Sequence, residues 1–232
     1  FKESVQAITD YAKYFQIPCV GGKVSLYNET DEGPIKPTPL IGVLGLIEKK
    51  PLISQKIESG DLVIIVGTTK DELGGSEYYE YVHNVTGGKC PLVDMKTSKK
   101  IQDTVLDLIQ SGTVKVAHDC SKGGLGVAMS KLCITNDIGC TVSLEKIPSE
   151  KLSPDELLFS ESHSRFLLVI KPQDEKKIMA LLAKSTVPYA RAGIFSGKDI
   201  IFQQKTSAIV RVRVDKAQEK WLNSLGALVT HG

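Results

Sequence analysis

The 232-residue sequence has no apolar run near the roughly 20 residues that a membrane-spanning helix needs. Its longest runs, such as LVIIVG at 62–67, are far shorter, so no membrane partner is expected. It also lacks a charge excess of either sign. Lysine and arginine number 29 against 27 acidic residues, a net charge of +2 with no long block of one sign, and the electrostatic footprint of a nucleic-acid binder is missing. The five cysteines, Cys19, Cys90, Cys120, Cys133 and Cys140, include no C-x-x-C pair. With no secretory signal ahead of them, they read as buried thiols of a reducing compartment, and a cytoplasmic protein is expected. His83, His163 and His231 stand at no ligand spacing with cysteine or carboxylate, so a zinc site is unsupported. No Walker-type G-x-x-x-x-G-K-[ST] and no Ser–His–Asp arrangement can be read, and there is no solenoid period or low-complexity tract.

What the chain does have is enough apolar residue, 41% against 24% charged, for a substantial core. FKESVQAITDYAKYFQ places Val5, Ile8, Ala12 and Phe15 three and four apart, an amphipathic helix whose apolar face needs a partner. No methionine or lead-in strand precedes it, which gives the chain the look of a cut piece. IPCVGG (17–22) and PTPLIGVLGLIE (37–48) read as strands, the second apolar enough to expect cover on both faces. The polar, turn-rich KKPLISQKIESGD marks a boundary near 50–60, dividing a truncated first piece, 1–50, from a second domain, 51–232. There DLVIIVGTT, VKVAHD, CTVSL, SRFLLVI, YARAGIF, IIFQQ and AIVRVRV read as strands. Helices are expected in ELGGSEYYEYV, TSKKIQDTVLDLIQSG, LGVAMSKLCITN, QDEKKIMALLAKS and KAQEKWLNSL. Helices alternate with strands early and strands cluster later, which predicts an α/β or α+β layer of helices on a mixed sheet.

Three stretches gather polar residues at turns beside apolar strands. In GGKVSLYNE, Gly21 and Gly22 can bring backbone N–H groups close to an anion, with Lys23 as a cation and Ser25, Asn28 and Glu29 as further polar contacts. A plain tight turn is the alternative. In AHDCSKGGLGVAMSKL, a strand, Gly-Gly and a helix follow one another. The helix N-terminus either meets an anion or is simply capped by Ser121. His118 and Asp119 are neighbours in a strand, so their side chains start on opposite faces and a His–Asp pair is not implied. In LLFSESHSRFLLVI, Glu161, Ser162, His163 and Arg165 precede an apolar strand, either contacting a ligand or bracing the turn through an Arg–Glu pair.

Taken together, these segments resemble one family, phosphoribosylformylglycinamidine synthase, also called formylglycinamide ribonucleotide amidotransferase. GGKVSLYNET and PTPLIGVLGLIE look like that family's GGNVSLYNET and PTPVVGVVGLIE. ELGGSEY is identical to its usual form, HDCSKGGLGVAMSK resembles HDVSDGGLAVALAE, and LLFSESHSRFLLVI matches LFSES-x-x-RF. The matches keep this order from Phe1 to about Phe166, and the SLYNE string separates the family from relatives such as aminoimidazole ribonucleotide synthetase.

The resemblance implies an ATP- and magnesium-dependent ligase of purine biosynthesis, built from two similar halves with ATP and the formylglycinamide ribonucleotide bound between them. It implies ammonia from glutamine, delivered by a glutaminase subunit or domain. This chain would be the later part of the second half: the end of a smaller domain, then an α/β domain of the aminoimidazole-ribonucleotide-synthetase-like type. The catalytic histidine, the ATP-contacting lysine and most magnesium carboxylates would lie in the missing N-terminal half, and the isolated fragment would be inactive. The family's ATP-contacting glycine falls on Gly22, its magnesium-binding asparagine on Lys23 and its substrate-contacting serine on Ser25. Lys23 departs from the pattern, because an ammonium has no lone pair for a metal. Lys122 stands where an aspartate is usual. These two cations favour the rival expectation, a catalytically silent nucleotide-binding or scaffold module.

Overall fold

The computed structural model describes residues 1–35, 38–47 and 53–229. The chain divides into two units, Phe1–Lys50 and Pro51–Gly232. The expected junction at residues 50 and 51 lies outside the described residues, as do His231 and the two ends, Pro37 and Glu48, of the expected strand 37–48.

The first unit holds helix α1 (Lys2–Phe15) and a two-stranded ribbon of β1 (Glu29–Thr30) and β2 (Gly33–Pro34). Helix α1 ends at Gln16, whose left-handed backbone lets its N–H bond Ala12 and Lys13 carbonyls. None of its residues is fully buried: on the face carrying Val5, Ile8, Ala12 and Phe15, Val5 is exposed and the other three are half-buried. The strands expected over 17–22 and 37–48 are not formed in the described residues. A strand exists through hydrogen bonds to a neighbour, and the described part of this unit offers 17–22 and 38–47 none. Leu40, Leu44 and Leu46 stand at least 93% exposed.

The second unit is a seven-stranded sheet with helices on both faces, the α/β layer expected. In chain order it contains β3 (Leu62–Val66), α2 (Glu77–His83), α3 (Met95–Gln110), β4 (Val114–Asp119), α4 (Gly124–Asn136), β5 (Cys140–Ser143) and α5 (Pro154–Phe159). Then come β6 (Phe166–Ile170), α6 (Glu175–Ser185), β7 (Tyr189–Phe195), β8 (Asp199–Gln204), β9 (Ser207–Arg213) and α7 (Val214–Val229). The strand order is β4-β6-β3-β7-β5-β8-β9, with β5 and β8 parallel and every other pair antiparallel. Strands β3 and β6 are interior strands of the sheet and are apolar at every position. Val63, Ile65, Leu167 and Val169 face one core with α4 and α5, whereas Leu62, Ile64, Leu168 and Ile170 face another with α3 and α6. Cover on both faces is what turns the alternation of a strand into a continuous apolar run. Helix α5 escapes periodicity because it is six residues long, though it carries a capping box in which Ser153 and Glu156 each bond the other's backbone N–H.

Candidate functional site

Two places concentrate polar groups, one in each unit. In the first, the loop after α1 closes on the helix to form a cleft of ≈ 430 Å³. Lys23, Ser25 and Asn28 line it from the loop, Ser4 from α1 and Thr38 from the later segment, while α1 adds the apolar Val5 and Ile8. Lys23 and Ser25 are thus brought together in one cavity. Gly21 and Gly22 are not among the lining residues. Neither has a positive φ, and a Cβ on either would meet nothing within 4 Å, so no close packing among the described residues demands these glycines. Ser4 and Thr38 carried no sequence signal, since each is an ordinary hydroxyl in a polar context.

The donor set bears on which charged partner the cleft suits. The side chains of its described lining comprise one ammonium, three hydroxyls and one amide, and no carboxylate or imidazole. Such a set donates hydrogen bonds to phosphate oxygens. It does not suit a protein-held magnesium ion, which is bound through carboxylates and substrate phosphates.

The second place lies at one end of the large sheet, where the loop after β3, the loop before α4 and the loop before β6 meet. The Glu161 carboxylate joins two of them: one oxygen accepts the Glu77 N–H at 3.0 Å and the Gly123 N–H at 2.8 Å, at the starts of α2 and α4. Backbone donors at a helix start attract an anion, and here a side chain supplies it. Ser121 therefore does not cap α4. The cap is Gly123, in the left-handed region, followed by Gly124 at φ 63°. A Cβ on Gly124 would sit 2.6 Å from the Ser160 carbonyl oxygen, so glycine is required there by both backbone and space.

Arg165 is 1% exposed and makes no Arg–Glu ion pair among the described residues. Its guanidinium donates to the Ser162 carbonyl at 3.0 Å, to Thr69 Oγ1 at 3.0 Å and to the Ser160 carbonyl. Burial pulls its pKa below the usual arginine value, opposed by the nearby Cys120, Glu72 and Glu161. The loops are stitched further by Ser162 Oγ, which accepts the Lys70 N–H at 3.1 Å, and by buried Glu72, whose carboxylate accepts the Leu92 N–H at 3.1 Å. Lys122 points out and bonds Glu77, whose hydrogen bond raises its pKa. His118 turns its Nδ1 to the Asp119 carbonyl oxygen at 2.5 Å and sits 3.8 Å from that residue's carboxylate, so the main chain is its nearer partner. Sequence reading missed Thr69, Ser160 and Glu72. The available signal was Arg165 itself, a cation set against an apolar strand, which must find oxygens when buried.

Comparison with known proteins places these loops in context. Residues 58–203 match the family model for the AIR synthase related protein, C-terminal domain. The chain is 38% identical over 227 residues to the phosphoribosylformylglycinamidine synthase subunit PurL of Methanocaldococcus jannaschii, covering 94% of this chain and 30% of that protein. It is 36% identical to the PurL subunit of Alkaliphilus metalliredigens, covering 99% of this chain and 31% of that protein. The chain thus spans under a third of the length of these relatives. Among solved structures, Thermotoga maritima PurL complexed with FGAR shares the fold at TM-score 0.65 and 20% identity, over 72% of this chain and 29% of that one. The same protein complexed with ATP gives TM-score 0.60 at 21% identity, over 72% and 27%.

Proposed function

The chain belongs to the AIR synthase related family, and on that premise we propose that it is the later part of the second half of a phosphoribosylformylglycinamidine synthase, working in the cytoplasm. The reaction exchanges a formamide oxygen for nitrogen. ATP supplies a phosphoryl group to that oxygen, and ammonia then adds to the carbon as phosphate leaves, giving the amidine and ADP. Most of such a rate enhancement comes from positioning and charge neutralisation. In this reading Gly21 and Gly22 offer backbone N–H groups to ATP phosphate, Lys23 adds its ammonium, and the Ser25 hydroxyl bonds the substrate. The N-terminal half would supply the base and the magnesium carboxylates, and a glutaminase would supply ammonia. The 232-residue chain alone would then be inactive.

The observation that carries this reading is the 38% identity that runs along 94% of the chain. The convergence of Lys23 and Ser25 on one cleft is consistent with it. In the full-length protein, Ser25→Ala should lower kcat/KM for the formylglycinamide ribonucleotide by about 0.5–1.5 kcal/mol, the worth of one neutral hydrogen bond. Unchanged kinetics at low substrate would remove Ser25 from the site, and turnover by the 232-residue chain alone would contradict the division of labour. A silent nucleotide-binding module is the second reading. It is favoured by Lys122, whose engagement with Glu77 ties it into the scaffold. Full activity of the intact protein in a metal-dependent assay would reject it.

A further inference from the structure

The cleft in the first unit has a charge without a counter-charge. Lys23 lines it beside the Ser4, Ser25 and Asn28 side chains, no carboxylate is among the described lining, and none of the described carboxylates pairs with Lys23. An ammonium brings three donors and no acceptor, and hydroxyls and an amide can add donors around it. A ligand that satisfies this set must be rich in acceptor oxygens and negatively charged. The cleft, ≈ 430 Å³, exceeds what a bare inorganic anion fills, and its apolar wall of Val5, Ile8 and Leu26 suits a ligand with a carbon body. Magnesium bound at the same position would face the repulsion of Lys23 with only amide and hydroxyl oxygens to hold it.

We propose that this cleft takes a phosphate-bearing organic ligand whose charge is met by the Lys23 ammonium itself, with no divalent cation held by the cleft's own side chains. The proposal rests on reading residues 21–28 as the ligand loop, and it assigns the counter-ion within that loop. The phosphate is that of a nucleotide or of a sugar phosphate, which share the chemistry that Lys23 recognises.

The test titrates the 232-residue chain with inorganic pyrophosphate and, separately, with ribose 5-phosphate, in EDTA and in excess magnesium, following the amide resonances of residues 21–28. Saturable shifts with pyrophosphate alone would identify a polyphosphate as the preferred group, and shifts with ribose 5-phosphate would identify a sugar monophosphate. Either supports the proposal, whereas no shift with both overturns it. The wild-type dissociation constant should change by less than about twofold between EDTA and magnesium, and Lys23→Asn should weaken binding in EDTA by about tenfold, the loss of one charged contact. Magnesium should restore part of that loss, since an amide tolerates the ion that an ammonium repels. Superimposable curves for wild type and Lys23→Asn, or wild-type binding that appears only with magnesium, would also overturn it. If the full-length protein fails to turn over while phosphate still binds through Lys23, the ligase reading falls and this one stands. Turnover without Lys23-dependent binding gives the reverse.

Discussion

Residues 38–47 and Leu62–Val66 are both runs of aliphatic side chains punctuated by glycine or bounded by it, and they come to opposite ends. Every residue of β3 is buried, with Val63, Ile64 and Val66 at 0% exposure, whereas Leu44 is 100% exposed. The difference lies in the neighbours. Strand β3 has β6 on one side and β7 on the other, with helices above and below. Segment 38–47 has neither ladder nor cover among the described residues. Hydrophobicity creates a demand for burial, and the rest of the fold decides whether it is met. The polar loops differ in kind: those at the end of the large sheet are stitched to one another by Arg165, Glu161 and Glu72, while Lys23 and Ser25 line an open cleft.

Thiol chemistry should break or sharpen this contrast most strongly. Cys19 is exposed in the first unit, whereas Cys120 is buried in the second with its pKa pushed up to about 11, chiefly by burial. At pH about 8 roughly one Cys120 thiol in a thousand is ionised, so alkylation of Cys19 should outrun that of Cys120 by about a hundredfold or more. Buried Cys133 is raised as well, by its hydrogen bond with Cys140 and by burial, and should be equally inert. Mass spectrometry of the peptides after brief iodoacetamide treatment reads the ratio, and prompt labelling of Cys120 would show that the second unit is not closed.

Next in size is the aliphatic pair. Leu168→Ala removes a side chain that is 0% exposed between α3 and α6, and should cost about 2–5 kcal/mol in urea unfolding. Leu44→Ala should stay within about 0.5 kcal/mol. Comparable losses would mean that segment 38–47 is covered in solution.

Glu161 tests the loops. Replacing it with alanine strips the Glu77 and Gly123 N–H groups of their acceptor, with an expected cost of about 1–3 kcal/mol and faster hydrogen exchange at both amides. Exchange that speeds at one amide only would show that the carboxylate does not bridge α2 and α4.

Much of this was legible in the sequence for a physical reason. The strands of the large sheet are apolar runs bounded by turns, and their helices carry clean stripes, as in α3 with Ile101, Val105 and Leu108 buried. Strand order was not legible, because it depends on pairings such as β3 with β6 between residues about a hundred positions apart. The roles of Glu161 and Arg165 were half legible: both stood out as charges beside an apolar strand, yet the expected partner was either a ligand or the other member of the pair. Burial dictated otherwise. Helix-start amides satisfied the carboxylate and main-chain oxygens satisfied the guanidinium, partners that a sequence does not display. Lys23 is the converse, a departure visible in the sequence whose setting became clear only with the cleft.

The smallest expected effect is a pH dependence at the start of α3. Asp94 caps that helix, its carboxylate accepting the Thr97 N–H at 2.9 Å, and this bond leads the causes that hold its pKa below the ordinary aspartate value. A carboxyl that is more acidic in the folded chain than in the unfolded one stabilises the fold fully above the unfolded value, about 3.9, and loses that contribution as pH falls through its lowered folded value. The sign is therefore fixed: wild type should exceed Asp94→Ala in stability near neutrality, and the gap should narrow as pH drops from about 5 to about 3. Asp94→Asn keeps an acceptor that does not titrate, so its advantage over Asp94→Ala should stay level across the same range. Urea midpoints for the three proteins measure both slopes. A wild-type gap that holds constant to the acid end would show that the cap draws nothing from the charge of Asp94, and that the helix start is held by the geometry of its hydrogen bond alone.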